Sequence, residues 1–471
     1  MMPGIRISGC LLLAVLLPGC MMLGPDYQRP QFSLPAIFGI EEAADAQSPL
    51  TVENRWWELY QDPVLNQLVD QALVNNTDVK IAVARIEEAD AFLREVGAAL
   101  FPQVDLDAAA SRSRISQLGA TPLSNGINPI RENYAIRLGA AYELDFWGKL
   151  RRAKESARAQ ALASRYARDT VALSLSGLVA SNYLQLRSLE SQIDLSEDSL
   201  RTRNESLALT KKRLEGGVSS ALDVHQAEVA SSNLAAQIVE LRRLHAVTRH
   251  QLAVLTGQFE LDLPAGNIDQ LPLPPLPPAG LPSTLLDARP DVRQAEQTLI
   301  AQNANIGVAK AALFPTITLT ASYGGESAEL SDVLKSAARI WSGGVGLNLP
   351  IFNAGRLSAR VDQATAQQKQ ALAAYEASVR SAFQEVNDAL VAVRQNAERE
   401  TLLDSSRQSA KKAVEISDNR YKSGYSSYID VLDSQRVYND TAIAYIQSRQ
   451  ARLIASVELF KALGGGWQAE E

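Results

Sequence analysis

The sequence predicts a mainly α-helical protein that also carries four β-strands and is built from two copies of one unit. Three observations lead to this fold class: a turn motif that occurs twice, two segments of strict apolar–polar alternation, and two very long stretches without proline. The turn motif defines the repeat, the alternation predicts its strands, and the proline-free stretches predict its helices. Each unit is therefore expected to combine a β-hairpin with long helices.

The repeated turn motif lies at Arg420–Arg436 and again at Arg213–Glu228, an offset of 207 residues (420 − 213 = 207). In both copies a glycine, Gly217 or Gly424, follows a helical pattern and can adopt the left-handed conformation that closes a helix. Serine residues come next and can cap a following helix. The motif predicts a helix, a glycine turn and a second helix in each half of the chain.

Two segments alternate strictly between apolar and polar residues, which predicts β-hairpins at about 102–147 and about 315–351. In the first hairpin Val104 and Leu106 share one face, and Asp105 lies on the other. The second hairpin repeats this pattern. Strands that are apolar outside and polar inside are typical of membrane barrels, although a half-buried hairpin of a soluble protein alternates in the same way.

Four strands cannot close a barrel, and a sheet edge left open in lipid would leave backbone groups unpaired. The chain is therefore expected to form an oligomer in which each copy contributes four strands. Two copies would give about eight strands and an interior filled by side chains, whereas three would give about twelve strands and an open lumen.

Long helices are expected to follow the hairpins. The segment from Gly148 to about Glu215 contains no proline, and its 68 residues would form a helix of about 100 Å. The other predicted helices cover about 63–100, 219–255, 353–422 and 427–463. Such lengths exceed those of ordinary globular helices and indicate a helix-walled tube that continues from the strands.

The sequence divides into six segments. They are a signal peptide (1–19), a lipid anchor and tether (20–62), a first repeat (63–262), a proline-rich linker (263–282), a second repeat (283–463) and a C-terminal tail (464–471). Leu17-Pro18-Gly19-Cys20 spans the end of the signal peptide and the start of the anchor, and it resembles a bacterial lipoprotein signal in which Cys20 carries covalent lipid. The alternative is an ordinary secretory signal that happens to contain a cysteine.

Charge and motifs exclude several function classes. The net charge is −7 and no basic block is present, so nucleic acid is not an expected partner. The histidines, His225, His245 and His250, belong to no Ser-His-Asp arrangement, and there is no phosphate-binding loop, so no enzyme is expected. No metal or cofactor is expected beyond the lipid. An alternative to a membrane barrel is a periplasmic coiled-coil adaptor or structural lipoprotein. Such a protein would not need four barrel-type strands.

The chain carries a set of distinctive motifs at Cys20, Gly24–Pro30, Trp56-Trp57, Asp145–Gly148, Arg289–Val292, Pro350–Gly355 and Arg420–Arg436. Together they resemble those of TolC-type outer membrane factors, specifically the lipoprotein branch found in tripartite efflux systems. The resemblance covers essentially the whole chain. It implies a homotrimer with a twelve-stranded outer-membrane β-barrel, four strands per protomer, that continues into a long periplasmic α-helical barrel. It also implies passive conduction, with energy supplied by an inner-membrane pump of the RND type and a periplasmic adaptor protein.

The same resemblance assigns roles at the two glycine turns. It implies that Ile429, Asp430 and Asp433 constrict the pore. Links that hold the closed state would involve Asp223, Arg420, Tyr421 and Arg436. The turns at Gly217 and Gly424 would dock the adaptor. Simpler roles remain open, because Asp430 can stabilise the start of a helix and Asp433 can lie on a solvated face.

The transported compound leaves no motif in the sequence. Drugs or other small toxic compounds are the expected substrates of an exit duct in the outer membrane, with a periplasmic acidic gate. Metal-ion efflux and type I protein secretion are the alternatives within the same family of channels.

Overall fold

The computed structural model describes residues 22–32, 35, 55–118, 128–275 and 289–465. Cys20 and the predicted signal peptide lie outside these residues, as do most of the tail and parts of the tether and linker. No helix in the described ranges is both long enough and apolar enough to cross a membrane.

The described residues form helices and strands in the predicted order. The helices are α1 (Pro63–Asn75), α2 (Thr77–Ala98), α3 (Lys149–Glu215), α4 (Ala221–Leu255), α5 (Pro290–Ala311), α6 (Arg356–Lys422) and α7 (Tyr428–Ala462). The strands are β1 (Gln103–Arg114), β2 (Ile130–Leu144), β3 (Thr316–Ser327) and β4 (Arg339–Asn348). Both predicted hairpins and the four predicted long helices are confirmed, with ends that shift by a few residues.

The two halves of the chain match in element length. Helices α3 and α6 each contain 67 residues, and α4 and α7 each contain 35. These pairs start 207 residues apart (356 − 149 = 207), whereas β1 and β3 start 213 residues apart (316 − 103 = 213). The six-residue difference (213 − 207 = 6) falls between the end of the first strand and the start of the long helix in each half.

The prediction of one helix from 63 to about 100 is wrong, because Asn76 separates α1 from α2. Its backbone is extended, with φ −61° and ψ 137°. The Asn76 side chain accepts a hydrogen bond from the Asp78 amide at 2.8 Å and donates one to the Leu255 carbonyl at 2.9 Å. At the equivalent position of the second repeat, the Arg289 guanidinium donates to the Ala462 carbonyl at 2.9 Å. In both repeats, the residue before a short helix thus caps the last residue of a long one.

The four strands form one antiparallel sheet in the order β1-β2-β3-β4. The pairing of β2 with β3 joins the two hairpins, and β1 and β4 are the edges of the sheet within the described chain. The register aligns Leu106, Leu138, Tyr323 and Trp341 in one row across all four strands. The alternation therefore collects the apolar side chains on one face and the polar ones on the other, as predicted.

The chain divides into two compact units, each of which draws on both repeats. Among the described residues, the first unit combines those up to Gln31 with Ile86–Ser164 and Ala295–Tyr375, and so contains the sheet. The second unit comprises the remaining described residues and consists mainly of helices.

In the first unit, residues 22–30 run as an extended segment held by side chains of α3 and α5. The Leu23 amide donates to the Trp147 carbonyl at 3.1 Å. The Arg152 guanidinium donates to Asp26 at 2.6 Å, and the Asn303 amide donates to the Pro25 carbonyl at 2.8 Å. These bonds hold the start of the described chain beside the end of β2.

In the second unit, two aromatic residues that precede α1, Trp56 and Tyr60, pack against the end of α7. Trp56 is fully buried and stacks on Phe460 with ring centroids 5.8 Å apart. The Tyr60 hydroxyl lies 2.6 Å from the Ser456 hydroxyl. Large buried aromatic side chains contribute strongly to a core, so this contact fixes the end of α7 in the unit.

We expect Asn76→Ala to lower the free energy of unfolding by about 1–2 kcal/mol, because the Asp78 amide and the Leu255 carbonyl each lose a partner. The measurement is urea unfolding in detergent, followed by circular dichroism. Lys80→Ala, at an exposed position on α2, is the control and should stay within about 0.5 kcal/mol of wild type. Identical midpoints for wild type and Asn76→Ala would contradict the capping role.

Candidate functional site

The two glycine turns have nearly the same backbone geometry. Gly217 has φ +72° and Gly424 has φ +80°, so both adopt the predicted left-handed conformation. The residue after each glycine closes the helix, since the Val218 amide donates to the Arg213 carbonyl at 2.9 Å and Tyr425 makes the equivalent bond at 2.8 Å. No heavy atom lies within 4 Å of a Cβ built on either glycine. The requirement for glycine therefore comes from the backbone angle and not from crowding.

The helix after each turn begins with a serine–aspartate pair. The Asp223 carboxylate accepts from the Ser220 amide at 2.9 Å and from the Ser219 hydroxyl at 2.8 Å. The Asp430 carboxylate accepts from the Ser427 amide at 3.0 Å and from the Ser427 hydroxyl at 2.8 Å. The bonds to Asp223, the backbone bond from Ser220 above all, lower the pKa of Asp223. In the single chain Asp430 thus stabilises a helix start, and its role in a constriction stays a prediction.

Tyr421 is the most buried of the predicted link residues, with 6% of its surface exposed. Its ring lies 5.3 Å from that of Tyr428, centroid to centroid, and the Arg213 guanidinium lies 4.5 Å from its centroid. Arg213 also donates to the Tyr421 carbonyl at 3.1 Å. Burial raises the pKa of Tyr428 to about 12. Within one chain, Tyr421 therefore joins the end of α6 to α3.

The other predicted residues lie on the exposed surface near the turn. Arg436 pairs with Asp433 at 2.8 Å, and Arg420 donates to the Tyr425 carbonyl at 3.4 Å. Ile429 is about half exposed. Among the described residues, no hydrogen bond or ion pair joins Asp223 to Arg420, Tyr421 or Arg436. A link between them would require a second chain or a second conformation.

A groove that the sequence did not indicate lies between α4 and α7, next to the turns. Its volume is about 610 Å³, and Arg203 of α3 reaches it together with Ile429 and Asp433. Arg203 is 9% exposed and donates to the Ala230 carbonyl at 3.0 Å. Burial lowers the pKa of this arginine. In the sequence, the signal that could have revealed Arg203 is a seven-residue spacing of polar residues, Ser196, Arg203 and Thr210, all of which the structure buries.

This chain is similar to known proteins over nearly its full length. The family model described as "Outer membrane efflux protein" matches residues 68–258 and 281–465. The probable efflux pump outer membrane protein TtgC of Pseudomonas putida is 35% identical over 468 residues, covering 96% of this chain and 94% of that protein. The cation efflux system protein CusC of Escherichia coli is 33% identical over 474 residues, covering 98% and 100%. The solved open-state outer membrane channel MtrE of Neisseria gonorrhoeae has a TM-score of 0.84 and 32% identity, covering 95% and 99%.

The first turn of α4 should lose stability in acid. The pKa of Asp223 is lowered in the folded chain. The contribution of this carboxylate to stability is therefore present above its unfolded pKa of about 4 and is lost as the pH falls below that value. We expect amide hydrogen exchange at residues 221–224, corrected for its intrinsic pH dependence, to accelerate at pH 3 relative to pH 6. In Asp223→Asn this change should be absent. The same pH dependence in wild type and variant would contradict the assignment.

Proposed function

We propose, because this chain belongs to the outer membrane efflux protein family, that it is an outer-membrane exit duct that passively conducts small toxic compounds. The observation that carries the proposal is the four-stranded sheet with one apolar face, one polar face and two edge strands. In lipid such edges require strands from further copies. Long helices that follow each hairpin would continue the duct into the periplasm.

Three copies of the chain would place twelve strands in a closed barrel with an open lumen. Closure would pair β4 of one copy with β1 of the next and so leave no edge in the membrane. The polar face, which carries small residues such as Gly139, Gly344 and Gly346, would line a wide passage. This homotrimer is the assembly that the sequence resemblance implies.

A lipid on Cys20 would anchor the end of the sheet from which the long helices start. The bond from Leu23 to Trp147 holds the chain beside the end of β2. Leu23 is three positions after Cys20, so the lipid attachment point would lie within about 11 Å of that bond. Outer-membrane lipid would then surround both the barrel and the acylated cysteine.

The glycine turns would form the periplasmic end that docks an adaptor protein, which in turn connects the duct to an inner-membrane pump of the RND type. Apolar side chains exposed around the turns support a docking role there. Val218 is 68% exposed and Tyr425 is 79% exposed. Surfaces of this kind on a soluble segment are typical of protein interfaces.

The proposed gate lies beside the second turn. In a trimer, Asp430 and Asp433 would contribute six carboxylates around the axis, with Ile429 as an apolar neighbour. A ring of carboxylates favours cations and offers oxygen ligands to divalent ions. Asp223, Arg420, Tyr421 and Arg436 would hold the closed state by contacts between neighbouring helix pairs.

The transported compounds are proposed from the relatives. The relative TtgI of Pseudomonas putida is named as a toluene efflux pump outer membrane protein and CusC as part of a cation efflux system, so small organic compounds and metal cations are the classes to compare. A disruption strain should become sensitive to the compounds that the duct exports. An unchanged susceptibility profile together with a depleted secretome would favour protein secretion instead.

We expect Gly424→Val to reduce resistance in a complemented disruption strain while trimers still assemble. A β-branched residue at φ +80° is strained by about 1–3 kcal/mol, which distorts the turn without touching the strands. The measurements are minimum inhibitory concentration, cross-linking to the adaptor, and trimer content on unheated gels. Gly216→Ala is the control, because an added Cβ there would meet no heavy atom closer than the Lys212 carbonyl oxygen at 3.5 Å, an ordinary contact distance. Wild-type resistance and cross-linking in Gly424→Val would exclude the docking role.

Asp430→Asn combined with Asp433→Asn should weaken cation selectivity and relieve block by divalent cations added on the periplasmic side. Asparagine keeps an oxygen that can accept the capping bonds but removes the charge. The measurement is reversal potential and block of purified trimers in planar bilayers. Asp198→Asn, an exposed carboxylate on α3 paired with Arg201, serves as the control. Unchanged block in the double variant would show that the constriction lies elsewhere.

A further inference from the structure

The apolar face of the sheet carries charged residues only toward one end. The register places Arg112 opposite Glu132, Arg114 opposite Ile130, and Arg339 opposite Gly325. These three arginines and Glu132 are the charged residues of this face within the four strands. All of them lie toward the end of the sheet that is distant from the start of α3. We name Arg112, Arg114 and Arg339 the distal arginine cluster.

The position of the cluster matches the depth of a lipid head group. On β2 the apolar face runs from Leu144 to Tyr134, ten residues farther along the strand. At about 3.4 Å per residue and a tilt of about 45°, this run spans about 24 Å, close to the apolar band of outer-membrane barrels. Arg112 and Arg114 pair with residues two and four positions beyond Tyr134. Arg339 lies slightly lower, within reach of the same level for a long side chain.

The positive charge of the cluster exceeds the negative charge beside it. The Arg112 Nε lies 3.2 Å from a Glu132 carboxylate oxygen, and the two side chains are 71% and 40% exposed. Within the described part of the chain, Arg114 and Arg339 form no ion pair. The cluster thus contains three guanidinium groups and has one carboxylate beside it, on a surface that is otherwise apolar.

The opposite face of the sheet shows no such separation of charge. Its charged residues are Asp105, Asp107, Arg131, Arg137, Glu143 and Glu326. Acidic residues outnumber basic ones there, and they extend from Glu143 near the start of α3 to Glu326, which pairs with Ala135. Arg131 lies opposite Ser113, between the levels of Arg112 and Arg114. At this level the polar face thus carries a single arginine, and the apolar face differs in having its charged residues only toward this end.

We propose that the distal arginine cluster binds the phosphate groups of lipopolysaccharide in the outer leaflet. The proposal rests on the proposed function, in which the apolar face meets lipid and the helices occupy the periplasm. The distal end of the sheet then lies in the outer leaflet, whose glycolipid carries phosphates on its sugar head group. Planar guanidinium groups bind phosphate through paired hydrogen bonds, and the apolar rows below would contact the acyl chains.

The test compares two double variants that remove equal charge from opposite faces. Arg112→Gln with Arg114→Gln alters the cluster, and Arg131→Gln with Arg137→Gln alters the polar face. Each pair contains one arginine bonded to a glutamate, Arg112 to Glu132 and Arg137 to Glu326, and one without an ion pair in the described chain. The probe is bisphosphorylated lipid A, and binding to purified trimers is measured by native mass spectrometry.

We expect lipid A to bind the cluster variant about thirtyfold more weakly than wild type, or about fivefold per arginine, and the polar-face variant within about twofold of wild type. Equal weakening in both variants would overturn the proposal. A second measurement uses wild type alone, with lipid A that lacks its phosphates or with phosphatidylglycerol. Either ligand binding as tightly as bisphosphorylated lipid A would also overturn it, even if the cluster variant fails to assemble.

Conductance of the same wild-type trimers in planar bilayers separates this inference from the proposed function. Trimers that conduct but bind bisphosphorylated lipid A no better than the dephosphorylated form would exclude the lipid site and leave the duct intact. Wild-type protein that binds bisphosphorylated lipid A selectively but does not conduct would support the site and count against the duct.

Discussion

The structure depends on glycine residues that hold a left-handed backbone at the ends of the long helices. Positive φ angles occur at Gly217 and Gly424 in the turns, and at Gly257 and Gly464 after the returning helices. A helix of 67 residues has no intrinsic reason to stop at one residue rather than the next. A residue that readily takes a left-handed conformation, followed by a capped helix start, defines that point. All contacts near the turns, including those of Tyr421 and Asp430, rely on the helices ending there.

Local signals in the sequence were sufficient to predict most elements. Glycine turns and alternation act over a few residues, and proline-free segments are visible along one continuous stretch, so they predict helices and strands without knowledge of the partner. The break at Asn76 was missed: its bond from the Asp78 amide is local, but its other contact, the Leu255 carbonyl, lies 179 residues away. The pairing of β2 with β3 was likewise not predicted, since it joins segments from different repeats. Tertiary contacts of this kind are invisible to a local pattern.

The candidate site shows a similar division between local and distant information. The serine–aspartate pairs could be expected from spacing alone, and the structure contains both. The contact of Arg213 with Tyr421 and the burial of Arg203 could not, because they depend on how α3 packs against α6 and α4. Both capping bonds of Asp430 fall on its Oδ2 atom. Within the described chain its Oδ1 atom accepts no hydrogen bond, so capping does not conflict with a second role.

The equal lengths of the paired helices have a consequence for how this protein can be altered. One residue inserted into α3 would rotate every later side chain by about 100° and move it by about 1.5 Å, so that its contacts with α6 would no longer match. The six-residue difference between the repeats falls instead between the first strand of each hairpin and the long helix, a region that includes the connection between the strands. Length variation is thus tolerated where no helix partner must stay in step. The hairpin connections are accordingly the places where an epitope tag or a displayed peptide could be carried at the cell surface.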